Sequence, residues 1–125
     1  MSEKGQSEPN QVIDLEAALQ RIPGGMVAVK QMAAILVAEC PRLLEEIRAG
    51  IAAEDAARVK LGAHTLRGSA DVYAAQRVVA AARQLESLAG DGRLNAAPQS
   101  FAELRTAVAE MIEAIRFSVA PPDTE

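Results

Sequence analysis

The chain has no tryptophan, one tyrosine, two phenylalanines, one cysteine and one histidine in 125 residues. Each scarcity excludes something. Strands favour aromatic and β-branched side chains, whereas the apolar half of this chain is dominated by Ala, Leu, Val and Ile, a mixture that suits helix packing. Cys40 has no second cysteine to pair with, so the fold does not depend on an oxidising compartment. One histidine and one cysteine are too few to suggest a zinc or di-iron site, so no metal is expected. No apolar stretch approaches the ~18 residues that span a bilayer, and no apolar run follows the charges near Met1, so no membrane association is expected and a cytoplasmic location is. The formal net charge of -4, without runs of Lys or Arg, argues against nucleic acid as a partner. There is also no phosphate loop of the Walker type and no Gly-x-Ser-x-Gly elbow.

What is present is helical periodicity. Residues 1–10 and 120–125 are polar or proline-rich and are expected to be disordered tails, leaving one domain over 11–119. Val12, Leu15, Leu19 and Ile22 mark a short first helix, with Asp14 as a candidate cap and Pro23-Gly24-Gly25 as its stop. Met26, Val29, Ala33, Leu36, Cys40, Leu43 and Ile47 mark a second, in which Pro41 predicts a kink or a break. A third begins near Glu54 and carries Val59, Ala63, Leu66, Ala70 and Tyr73. A fourth carries Val78, Ala82, Leu85 and Leu88 and stops at Gly90-Asp91-Gly92. The fifth, entered through Pro98-Gln99-Ser100, carries Phe101, Leu104, Val108, Met111 and Ile115. Short connections and one apolar stripe per helix predict an all-α fold, an up-down antiparallel four-helix bundle with a short extra N-terminal helix.

The lone histidine lies on the third helix. With about 100° per residue, the stripe of Val59, Leu66, Ala70 and Tyr73 falls opposite His64, while Lys60, Arg67, Gly68 and Asp71 fall within about 60° of it. A lone histidine is ordinarily a core, capping or surface residue, but this wheel turns His64 away from the core. Lys60 and Arg67, about one turn to either side, can offset the charge of an anionic group carried on the imidazole. Gly68 is costly, because a glycine inside a helix loses about 1 kcal/mol relative to alanine. It points away from any helix crossing, so it is read as open space beside the ring. Leu61 and Val72, about 60° to 80° from His64, are read with Asp71 as a possible docking surface, burial against a neighbouring helix being the alternative for the two apolar residues.

The stretch Ala63-His64-Thr65-Leu66-Arg67-Gly68-Ser69-Ala70 resembles the phosphorylation motif of histidine phosphotransfer (HPt) domains, which usually reads Ala-His-x-Leu-Lys-Gly-Ser or Ala. Leu19 to Gly25, Cys40 to Leu44, Glu54 to Ala56, and Ala81 to Leu88 with its Leu-Glu pair resemble the family in the same order. The resemblance implies His64 as phosphoacceptor, Arg67 in place of the usual lysine beside the phosphoryl group, and Gly68 as the small residue leaving room for it. Ala74 stands where many members have glycine. It implies a phosphorelay intermediate of two-component signalling, a carrier and not an enzyme, with a response-regulator receiver domain and a sensor or hybrid histidine kinase as partners. No cofactor of its own is expected, the Mg²⁺ of the reaction belonging to the receiver. A monomer is expected, and a helical adaptor that binds a receiver or kinase without transferring phosphate is the competing reading.

Overall fold

The computed structural model describes residues 11–118, and among these every regular element is helical. Both terminal segments read as tails, and Val119 at the domain's far end, lie outside the described residues. The helices are α1 (Leu15–Arg21), α2 (Gly25–Ala52), α3 (Ala56–Val72), α4 (Gln76–Gly90) and α5 (Ala97–Ser118), with a single 3₁₀ turn, Leu94–Ala96, leading into α5. Helix α3 packs between α2 and α4, α4 packs on α5, α5 closes back on α2, and α1 touches α2 and α3.

The helix starts follow capping chemistry. Asp14 and Asp55 stand in extended backbone and accept from the amides of Ala17 and Arg58, each at 3.2 Å, satisfying donors that have no partner inside the helix. Helix α3 therefore begins after Asp55, two residues later than Glu54. The helix ends repeat one motif. The amides of Asp55, Ala75 and Arg93 reach back to the carbonyls of Gly50, Ala70 and Leu88 at 2.8, 3.1 and 2.8 Å. Before each of them sits a left-handed residue: Glu54 at φ 56°, Ala74 at φ 53° and Gly92 at φ 71°. This is the Schellman arrangement, which glycine fits without strain and Glu54 and Ala74 do not.

Of the kink or break expected at Pro41, the break does not occur. The proline is exposed, so the carbonyl freed by its missing amide lies on the solvent side of a helix held by packing on either side of it. The chain does turn sharply earlier, by 105° between α1 and α2. Among the described residues no single helix is long and apolar enough to cross a membrane.

The predicted stripes of α3 and α5 are buried throughout, as is that of α2 from Val29 to Ile47. The stripes fail at their margins. Leu19 and Met26 are exposed, and Ile13 and Ala18 face inward at that end beside the expected Ile22; Leu88 is half-buried and Ala89 takes the inward place. Two glycines set the distance between α2 and α3. A Cβ on Gly62 would stand 2.7 Å from Ile47 Cγ1, and one on Gly50 would stand 2.9 Å from Val59 Cγ2. At the far end of the same contact the buried Tyr73 hydroxyl donates to the Val29 carbonyl at 2.8 Å.

Candidate functional site

His64 sits midway along α3, one residue beyond the fully buried Ala63 and two before the fully buried Leu66. Those neighbours fix the rotation of the helix, and the rotation carries the imidazole outward: 64% of its side-chain surface is exposed. The outward turn of His64 agrees with the wheel.

Arg67, one turn later, leans back across the ring. Its Nη2 lies 2.9 Å from His64 Nδ1, while its Nε donates to Glu86 Oε2 on the neighbouring α4. Glu86 Oε1 lies 3.4 Å from both His64 Nδ1 and Arg67 Nη2. Only 14% of the Glu86 side chain is exposed. Burial pushes its carboxyl upward, but hydrogen bonding to Arg67 and the charge of that guanidinium outweigh the burial and hold it below the usual glutamate range. The same hydrogen bond strengthens the hold of Arg67 on its proton. A guanidinium, an imidazole and a carboxylate thus form one cluster between α3 and α4.

Glu86 is the member that periodicity does not reveal. It is 22 residues from His64, and a wheel drawn for one helix cannot pair residues on two. The available signal was the Leu85-Glu86 pair within the stretch that resembles the HPt pattern. Inward Leu85 turns the residue after it toward α3.

Lys60, one turn before His64 on α3, reaches toward the neighbouring helix. Its Nζ lies 3.8 Å from where a Cβ on Gly90 would be, beside the last turn of α4. Unpartnered carbonyls at a helix C-terminus attract a cation, which suits a lysine at that place. At Gly68 the expected open space is there: a Cβ would find nothing within 4 Å.

The apolar flank is broader than Leu61 and Val72. Leu61 is 67% exposed and stands apart on one side. Val72 is half-buried and lines a shallow groove of about 250 Å³ between α2 and α3 together with Met32, Ile35, Gly68 and Ser69. Ile35 is 63% exposed and Met32 also faces solvent. These two lie off the inward stripe of α2, where apolar residues have no packing reason to be. Asp71 is exposed, and its carbonyl, with that of Val72, accepts from the Arg21 guanidinium of α1. With Asp14 N donating to Tyr73 O at 2.8 Å, this ties α1 to the end of α3 below the groove.

Among the described residues no group of three or more His, Cys, Asp or Glu is arranged to hold a metal ion. Cys40 is buried, and burial raises its thiol pKa to about 11, so it is a packing residue and not a nucleophile. The family model for the Hpt domain matches residues 31–116, from the second turn of α2 almost to the end of α5, with His64 inside. No curated protein and no solved structure shows a significant match.

Proposed function

Because the chain belongs to the Hpt domain family, whose members carry out histidine phosphotransfer in phosphorelay signalling, we propose that it accepts a phosphoryl group on His64 from the aspartyl phosphate of a receiver domain and passes it to another. The observation that carries this reading is the exposed imidazole in the middle of α3, held at Nδ1 and open at Nε2, beside a glycine with empty space over it. The cyclic packing of α2, α3, α4 and α5 supports reading the four long helices as an up-down bundle, with α1 laid across one end.

The chemistry asked of this chain is small. The Nε2 lone pair attacks phosphorus as the acyl phosphate P–O bond breaks, and the aspartate leaves as its carboxylate. The new N-phosphoimidazolium keeps its proton on Nδ1, where Glu86 faces it. Positioning and charge stabilisation dominate such transfers. This chain supplies the positioned nucleophile, Glu86 behind it and the charge of Arg67 beside it. The receiver supplies the acidic pocket and the Mg²⁺, so the chain is a carrier with no cofactor of its own and not an enzyme. Gly68 leaves room for the incoming group. The Met32–Ile35–Val72 groove and Leu61 give the receiver apolar surface to cover on either side, with exposed Asp71 next to Val72 in the chain. We read the chain as acting as a monomer on the cytoplasmic side.

The test is incubation with a phosphorylated receiver domain. It should label this chain with an acid-labile phosphate, and His64→Gln should abolish the label. Label that survives the substitution would defeat the reading. A chain that binds the receiver equally well as His64→Ala, yet takes no label from any donor, is the adaptor.

A further inference from the structure

We infer that Arg67 gates His64: in the resting chain it holds the imidazole in the tautomer that cannot attack through Nε2, and docking of the donor releases it. The inference rests on the phosphocarrier reading and concerns regulation of the same site.

A guanidinium N–H donates and never accepts. With Arg67 Nη2 at 2.9 Å, His64 Nδ1 must therefore be the acceptor, carrying a lone pair and no proton. A neutral imidazole has one N–H, so the proton then resides on Nε2. In that form the exposed nitrogen has no lone pair to offer, and the nitrogen that has one is covered by Arg67. The reactive form is the other tautomer, with Nδ1–H donating to Glu86 Oε1 and Nε2 free. The carboxylate is already in place for it at 3.4 Å. What prevents it is the Arg67 amino group standing in front of Nδ1, and the two arrangements exclude each other.

The gate depends on arginine rather than lysine at this position. The planar fork lets Nε stay on Glu86 Oε2 while Nη2 reaches His64 Nδ1. An ammonium carries its donors on one rotatable atom instead of a rigid fork, so it is not pinned across Glu86 and Nδ1 in the same way. Only 26% of the Arg67 side chain is exposed, and the fork is held on Glu86, so the resting arrangement is well supported. An arriving phosphoryl group is a stronger attractor for a guanidinium than a neutral ring nitrogen, because it brings opposite charge and paired oxygens that the two-toothed guanidinium can grip. It would draw the Nη2 group outward over the open side at Gly68. The freed Nδ1 then takes the ring proton and donates it toward Glu86, Nε2 loses its proton in the same tautomerisation, and attack follows as written above. Arg67 and Glu86 are thus positioning residues for the nucleophile. His64 stays unreactive until a phosphoryl group is beside it.

His64 is the only histidine, so its ring nitrogens can be followed by nitrogen NMR without ambiguity, in the full chain with no phosphoryl donor present. At a pH where the ring is neutral, the wild-type spectrum should show Nδ1 as the unprotonated nitrogen. Arg67→Lys and Arg67→Ala should shift the population toward the Nδ1–H form. A wild-type ring protonated mainly on Nδ1, or tautomer ratios unmoved in both variants, overturns the gate while leaving the phosphocarrier reading intact. A second readout uses phosphoramidate, a small donor, alongside a phosphorylated receiver. Arg67→Lys keeps the charge and gives up the fork, so it should take label several-fold faster than the wild type from either donor. Equal or slower labelling with both donors overturns the gate. A wild-type chain that takes no label from either donor overturns the phosphocarrier reading instead, whatever its tautomer.

Discussion

Gly62 and Gly68 are six positions apart on α3 and have opposite reasons for being glycine. At Gly62 the missing side chain lets α2 approach, since a Cβ would stand 2.7 Å from Ile47. At Gly68 the missing side chain touches nothing. The first is required by the fold, and the second costs the fold about 1 kcal/mol of helix propensity for no packing gain. One helix thus carries two faces under different demands. The inward face of Gly62, Ala63, Leu66 and Ala70 is tuned to the neighbouring helices, and the outward face around His64 and Gly68 is left open to solvent.

That contrast can be broken by substitution. The largest functional effect should come from His64→Gln, which removes all phosphate labelling while leaving stability within about 0.5 kcal/mol, as surface changes do; chemical denaturation beside the labelling assay reads both. Leu66→Ala, two residues away on the inward face, should instead cost about 2–5 kcal/mol because it opens a cavity in a fully buried site. The two glycines should then separate by sign. Gly62→Ala forces Ile47 aside and should destabilise by about 1–3 kcal/mol, whereas Gly68→Ala should gain up to about 1 kcal/mol. A larger residue at Gly68, such as glutamine, should slow transfer from a receiver while leaving the fold intact. If Gly62→Ala and Gly68→Ala moved the melting temperature in the same direction, the two-face description of α3 would be wrong.

Smaller effects sharpen the same picture. Ala74→Gly relieves a left-handed alanine at the end of α3 and should stabilise by about 1 kcal/mol or somewhat less, as the added freedom of the unfolded chain offsets part of the gain. Acid reads the cluster itself. The carboxyl of Glu86 is held below its ordinary range, so the stability it contributes is complete above an ordinary glutamate pKa of about 4.3 and is lost as the pH falls through its lower folded value. Glu86→Gln should remove that component from the acid unfolding curve, which circular dichroism at stepped pH would show.

Much of this was legible in the chain before any coordinates, and the reasons are physical. Helical period alone located five helices, because each long one must bury a continuous stripe, and the same period turned His64 outward. The stripes misled at Leu19 and Met26, where the bundle ends and no neighbour remains to cover an apolar residue. Pro41 does not break α2 because the loss of one hydrogen bond on the solvent side is less than the packing that holds the helix together. The site was half legible. Gly68 could be read as open space from its own helix, whereas the position of Lys60 depends on where α4 ends and the role of Glu86 depends on which residue of α4 faces α3. The Met32–Ile35 edge of the groove was hidden for a related reason, since an apolar residue off the stripe looks like noise until the neighbouring helix is in place.

The hydrogen bond from Tyr73 to the Val29 carbonyl gives the molecule a built-in optical probe. The chain has no tryptophan and no other tyrosine, so its near-ultraviolet fluorescence comes from one phenol, buried where α2 meets the end of α3. Burial raises the pKa of that phenol, so the folded protein should resist forming the phenolate as the solution is made alkaline, and it should lose the corresponding stability as the pH climbs past the free phenol's value of about 10. A receiver settling into the groove against Val72 would lie one residue from this chromophore, and its arrival should be visible without any attached dye.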